Sequence, residues 1–244
     1  MKNNFLLDAD ETVLDFIRSS EESFRAAMNE LGERQAAERY AEFKEINDGL
    51  WREYERGEIC KKDLMTARFF RFFARLQSSA DAKEANGLYF NKLCRTGYLL
   101  PGAAEFMREL KRRGRIYLIT NGTPAAQYGR LESLGLNGFF DGVFVSDEIG
   151  YAKPDVRFFE FVLASARIKK EDCLVIGDSL TSDIKGANAS GIESIWFNPK
   201  GKTASGARPD HTADSYRGVL EIVDSLRKRI GLPPDSYERG WKWQ

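Results

Sequence analysis

The chain has 244 residues, with 37 basic and 37 acidic side chains, three cysteines and one histidine. Zero net charge gives no general attraction to nucleic acid or to an anionic membrane. A single histidine excludes a His-rich zinc site and would confine any Ser-His-Asp machine to His211. Cys60, Cys94 and Cys173 are odd in number and widely spaced, which fits a reducing compartment better than a disulfide framework. Any chemistry must therefore rest on carboxylates, lysines, hydroxyls, backbone amides or a hard metal ion.

The length and the 42% hydrophobic content suit one large domain or a core with a smaller insert. No apolar run approaches the roughly 18 residues of a membrane-spanning helix. The apolar run near the start is broken by Asp8 and is too short for a secretory signal, so a cytoplasmic location is expected.

Phe5-Leu6-Leu7 predicts a buried strand that delivers Asp8 at its C-terminal end. From about Asp15 to Arg95 there is no proline, and apolar residues recur at helical spacing, as in Phe24, Ala27, Met28 and Leu31. That stretch holds 15 basic and 15 acidic residues, so it reads as several amphipathic helices and not as a charged arm. After Pro101-Gly102 the rhythm becomes strand–helix alternation. Helices are predicted over 103–113, 124–134, 155–166, 181–190 and 219–229, and strands over 116–119, 143–145, 173–176 and 192–197. Gly114, Gly135 and Gly191 read as helix C-caps.

Repeated β-α units predict an α/β fold: a doubly wound parallel sheet with a smaller all-helical cap domain inserted after the first strand. The expected division is 1–14 with 99–232 as the Rossmann-like catalytic core, 15–98 as the cap, and 233–244 as a tail that packs on the surface or is partly mobile.

In such folds ligands bind at the carboxyl ends of the strands. Four of those ends carry polar groups: Asp8-Ala9-Asp10-Glu11-Thr12, Thr120-Asn121-Gly122, the loop with Lys153-Pro154, and Gly177-Asp178 with Asp183. Collected in one crevice, four carboxylates would repel one another, and a hard divalent cation resolves that repulsion. Mg²⁺ prefers carboxylate oxygens, carbonyls and water and commonly pairs with phosphate. Lys153 and the Thr120 hydroxyl would serve phosphate oxygens. The residue types point to phosphoryl transfer.

The order and spacing of these groups resemble the haloacid dehalogenase superfamily of phosphatases. Its four motifs correspond to D-x-D-x-T at Asp8, Asp10 and Thr12, the strand-end Thr120, Lys153, and G-D-x-x-x-x-D at Asp178 and Asp183. DADET at 8–12, Asn47 with Leu50-Trp51 and Tyr54, LPGA at 100–103, ITNG at 119–122 and GYAKPD at 150–155 resemble more narrowly the pyrimidine 5′-nucleotidase branch. The superfamily usually has Gly where this chain has Glu11, and that branch carries Glu.

The resemblance implies a phosphatase that hydrolyses nucleoside 5′-monophosphates such as UMP, dUMP and dTMP. It implies Asp8 as nucleophile, Asp10 as general acid and base, and Lys153, Thr120 and Asn121 as phosphate ligands. Mg²⁺ would lie between the Asp8 carboxylate, the Asp10 backbone carbonyl and Asp178. Asp183 would orient a metal-bound water or Lys153.

Asn47, Trp51 and Tyr54 share one helical face, either toward substrate or packing cap on core; the resemblance tilts slightly toward substrate. The Phe69–Phe73 run reads as cap core more than as a base-stacking platform. Gly177-Asp178-Ser179-Leu180 spells a serine-esterase signature, but that family's downstream D-x-x-H is not met, since Arg208 stands three residues before His211. Gly201-Lys202-Thr203 lacks the upstream glycine of a P-loop.

The alternative enzyme reading is a sugar-phosphate phosphatase or phosphomutase on the same scaffold. The alternative from another class is a non-catalytic binding protein. The expected partner is a small phosphomonoester, with no nucleic acid and no membrane; the sequence is silent on oligomeric state.

Overall fold

A computed structural model describes residues 2–228. Strand β1 (Asn4–Asp8) is buried along its whole length, as its uninterrupted apolar run requires for a central strand covered on both faces. Five helices follow: α1 (Phe16–Glu30), α2 (Arg34–Ala37), α3 (Tyr40–Glu55), α4 (Lys61–Leu76) and α5 (Ala82–Leu93). The chain then alternates through α6 (Ala103–Arg113), β2 (Arg115–Thr120), α7 (Pro124–Ser133), β3 (Gly142–Val145), α8 (Ser146–Ile149), α9 (Val156–Ala166), β4 (Cys173–Gly177), α10 (Lys185–Ser190), β5 (Glu193–Phe197), β6 (His211–Ala213) and α11 (Tyr216–Lys228).

The six strands form one parallel sheet in the order β3-β2-β1-β4-β5-β6. Strand order therefore reverses between β1 and β4, where doubly wound sheets open a crevice at their carboxyl edge. Asp8 pairs with Ile119 and Leu7 with Ile176, so Asp8, Thr120 and Asp178 emerge at the same edge.

Alternation along the strands sorts the core into two layers. Phe5, Leu7, Ile116 and Leu118 pack with α6 and α11, whereas Leu6, Tyr117 and Ile119 pack with α9 and α10. Helices α1–α5 have an apolar cluster of their own, built on Phe24, Phe43, Phe69, Phe72 and Tyr89. Phe69, Phe72 and Phe73 are buried there, as expected of core, while Phe70 is exposed.

The chain runs into and out of these helices through two adjacent segments. The Asp15 amide donates to the Tyr98 carbonyl (2.9 Å) and the Leu100 amide to the Val13 carbonyl (3.0 Å).

Four local features depart from the sequence expectation. The helix predicted over 181–190 begins instead as a wide π turn over Leu180–Ile184. The three-residue strand β6 and the one-turn helix α8 carry too little periodicity to be predicted. Gly114 does end α6, but in an extended conformation; glycine is required because a Cβ there would lie 2.2 Å from the Asn3 carbonyl oxygen. The tail over 233–244 lies outside the described residues. Among the described residues no helix is long and apolar enough to cross a membrane.

Candidate active site

Asp8 ends the central strand, and two groups donate to its carboxylate, Lys153 and Thr12. Lys153 Nζ donates to Asp8 Oδ1 (2.6 Å), to Asp183 Oδ1 (2.6 Å) and to the Ile119 carbonyl (3.2 Å). Thr12 Oγ1 donates to Asp8 Oδ2 (2.9 Å) and accepts from the Asp178 amide (3.1 Å). Thr12 thus ties the loop after β1 to the loop after β4. Lys153 is buried, and its two carboxylate neighbours outweigh burial and push its pKa up.

Asp183 reaches Lys153 because of the π turn and of Gly177. The Ser179 amide donates to Asp183 Oδ2 (3.1 Å), and a Cβ at position 177 would lie 2.3 Å from that same oxygen. The spacing of the G-D-x-x-x-x-D motif is therefore a packing requirement as well as a chemical one.

One carboxylate oxygen from each of Asp8, Asp178 and Asp183 lies within 4.8 Å of the other two. Burial, followed by Asp183, drives the Asp8 pKa well above the carboxylate range, and the same two causes push Asp178 up to about 7. Lys202 approaches Asp178 only to 3.6 Å from an exposed loop. Three clustered acids against one buried ammonium leave negative charge uncompensated. An all-oxygen donor set of this kind fits a hard divalent cation.

Asp10 points away from that cluster. Arg130 Nη2 lies 2.7 Å from Asp10 Oδ1 as an ion pair, and Gln127 Nε2 donates to Asp10 Oδ2 (3.0 Å). Gln127 Nε2 also donates to Thr120 Oγ1 (2.8 Å), which accepts from the Gly122 amide as well (3.0 Å). With both accepting positions filled, the Thr120 hydroxyl hydrogen is left to donate to an acceptor in the crevice.

The Asn121 side chain plays a different part from its backbone: its Nδ2 donates to the Lys153 carbonyl (2.7 Å) and its Oδ1 accepts from the Lys153 amide (2.9 Å). It pins the lysine loop to the end of β2.

Glu11 adopts φ +60°, a left-handed conformation that costs a non-glycine residue on the order of 1 kcal/mol. That explains why glycine is usual there. Here the side chain offsets the cost: Oε1 accepts from the Ile17 amide in the first turn of α1 (3.1 Å), and Lys200 lies 3.3 Å from Oε2.

A cavity of roughly 470 Å³ lies between this constellation and the inserted helices. Asn47 and Trp51 line it, while Tyr54 stands edge-on to the Trp51 ring at 5.6 Å and is not part of the lining. Polar contacts join the inserted helices to the core around it. Lys61, at the start of α4, donates to the Asn121 carbonyl (2.7 Å), the Gly122 carbonyl (3.2 Å), Ser146 Oγ (3.1 Å) and Asp147. Thr181 Oγ1 donates to Glu55 Oε2 (2.7 Å). His211 lies on the last strand paired with Glu193 (2.9 Å), and Ser179 caps the π turn, so no serine–histidine pair forms among the described residues.

The haloacid dehalogenase-like hydrolase family matches residues 3–191. This chain belongs to that family. It is a phosphoric monoester hydrolase of the haloacid dehalogenase type. The chain is 35% identical over 224 residues to the pyrimidine 5′-nucleotidase PynA of Streptococcus pneumoniae, covering 90% of this chain and 94% of that protein. It is 30% identical over 218 residues to the pyrimidine 5′-nucleotidase YjjG of Escherichia coli, covering 88% and 95%. A crystal structure of the HAD-hydrolase YfnB of Bacillus subtilis, bound to magnesium, superposes with a TM-score of 0.84 at 30% identity, covering 91% and 99%.

Sequence reasoning missed Gln127, Arg130, Lys61 and the Glu55–Thr181 contact. Gln127 and Arg130 are three apart on α7, directly after the Thr120 loop, and that spacing was the one available signal.

Proposed function

We propose that this hydrolase is a Mg²⁺-dependent 5′-nucleotidase acting on pyrimidine nucleoside monophosphates such as UMP, dUMP and dTMP. The observation that carries the reading is the double hydrogen bonding of Lys153 to Asp8 and Asp183 beside Asp178. It supplies a nucleophile, a fixed cation and an acidic pair in one buried place. The pyrimidine part rests on the likeness to the two nucleotidases.

Asp8 attacks phosphorus in line, forming an aspartyl-phosphate as the nucleoside 5′-oxygen leaves. Lys153, the Thr120 hydroxyl and the Asn121 backbone N–H bind the phosphoryl oxygens and the charge that grows on them. Asp10 gives its proton to the leaving oxygen and then takes one from the water that hydrolyses the intermediate. Asp8, Asp178 and the Asp10 carbonyl would hold Mg²⁺, which when bound neutralises phosphate charge and favours ionised Asp8. Asp183 holds Lys153 in place. The inserted helices act as a cap that selects the leaving group.

Incubating the purified protein with UMP and Mg²⁺, with and without EDTA, tests this. Phosphate release that stops with EDTA supports it, and release that continues in EDTA overturns the metal role.

A further inference from the structure

Arg68 is a buried cation that the phosphoryl chemistry above does not use. It sits on α4 inside the aromatic cluster and lines the cavity. Its Nε and Nη2 both donate to the neutral amide oxygen of Asn86 (2.9 and 2.7 Å), and its guanidinium lies 4.6 Å from the centre of the Tyr89 ring. Among the described residues no carboxylate comes within ion-pair distance of it, and burial pushes the guanidinium pKa down. Burying a guanidinium without an anion costs several kcal/mol, so a cavity-lining one is a strong donor awaiting an acceptor. Asp10 and Arg130 line the same cavity as Arg68.

A second observation is independent of the first. Asn47 on α3 is buried, lines the same cavity, and its side-chain oxygen has no hydrogen-bond partner. That oxygen needs a donor. A second phosphate on the substrate would satisfy Arg68 but offers acceptors only, and would leave Asn47 unpaired. A lactam or imide ring offers both, a carbonyl beside an N–H, as uracil and thymine do.

We propose that Arg68 is the specificity-determining residue of the cap: it donates to a ring carbonyl of the uracil or thymine base, while Asn47 accepts from the ring N–H. This rests on the nucleotidase reading and names the residues that would carry its base preference.

The test compares kcat/KM for UMP, 3-methyl-UMP, ribose 5-phosphate and 4-nitrophenyl phosphate, with Mg²⁺, for the wild type, Arg68→Met and Asn47→Ala. The ratio of UMP to 4-nitrophenyl phosphate should fall by ~10- to 100-fold in Arg68→Met, the worth of a hydrogen bond to a charged group. Asn47→Ala should lower it less, and should shrink the wild-type preference for UMP over 3-methyl-UMP. An Arg68→Met ratio equal to the wild-type ratio overturns the proposal while leaving the nucleotidase reading intact. If Arg68→Met does not fold, the 3-methyl-UMP comparison in wild type and Asn47→Ala decides: equal rates on UMP and 3-methyl-UMP in the wild type overturn the base contact. A wild type that turns over ribose 5-phosphate better than UMP overturns the nucleotidase reading itself.

Discussion

Arg130 Nη2 lies 2.7 Å from Asp10 Oδ1, so a buried guanidinium on α7 fixes the second acid of the D-x-D motif apart from the first. Gln127 holds the other Asp10 oxygen at 3.0 Å and also holds Thr120. The two aspartates thus live in different surroundings, Asp8 with a lysine among acids and Asp10 with an arginine and an amide. Different environments are what let two carboxylates take different roles.

If Asp10 protonates the leaving oxygen, its importance scales with how badly the leaving group needs a proton. Asp10→Asn should lower kcat/KM, which reports formation of the aspartyl-phosphate and not its hydrolysis, by ~10²- to 10⁴-fold on nucleoside monophosphates. On 4-nitrophenyl phosphate, whose leaving group departs unaided, the loss should be ten-fold or less. Steady-state kinetics on both substrates measures this, and equal losses contradict the acid role.

Asp8→Asn should remove turnover by ~10³-fold or more, as loss of a covalent nucleophile does. The fold should survive, because Lys153 keeps Asp183 as a partner at 2.6 Å. Thermal unfolding and phosphate release on the same preparation separate the two effects. Retained turnover by a well-folded variant would end the nucleophile assignment.

Lys153→Met should act on stability as well as on rate. It leaves Asp8 and Asp183 buried without their shared cation, which costs about 3–5 kcal/mol when one partner of a buried pair is removed. Denaturant unfolding at pH 7.5 measures the loss. The loss should shrink at pH 5, where the orphaned acids can take up protons, and a pH-independent loss would contradict the account.

Legibility in the sequence followed the physics of each element. β1 announces itself by an apolar run ending in an acid, and the four strand-end motifs lie in short turns where spacing dictates geometry. The expected parallel sheet and inserted helices are present, and the polar groups meet at one edge because the strand registers align there. Arg130 and Gln127 were not legible: a helix face carries no turn chemistry, and their target is over a hundred residues away. Arg68 was hidden by its neighbours, since a charged residue at the edge of an aromatic run reads as the solvated side of a core helix. Glu11 stood out as a departure from glycine, but only its φ of +60° gives the reason. The π turn escaped because it depends on a side chain, Asp183, folding back over Gly177.

Clustered acids also predict how stability responds to pH and metal. The pKa of Asp178 is pushed up to about 7, and that of Asp8 is raised as well. Between the ordinary carboxylate range near 4 and about 7, the folded chain then binds more protons than the unfolded one, so stability falls as pH rises through that window. A divalent cation binds the ionised form and should reverse the fall. The melting temperature without metal should be higher at pH 5 than at pH 7.5, and Mg²⁺ should raise it more at pH 7.5. Thermal unfolding at both pH values, with and without Mg²⁺, provides the check; a Mg²⁺ effect that is absent, or larger at pH 5, contradicts a metal site at these acids.

The most direct measurement is kcat/KM on a panel of UMP, dUMP, dTMP, AMP, ribose 5-phosphate and glucose 6-phosphate with the purified protein and Mg²⁺. The pyrimidine monophosphates should exceed AMP and both sugar phosphates by ~10-fold or more, the scale on which a few base contacts discriminate. A sugar phosphate turned over as well as UMP, or better, would contradict the pyrimidine nucleotidase function.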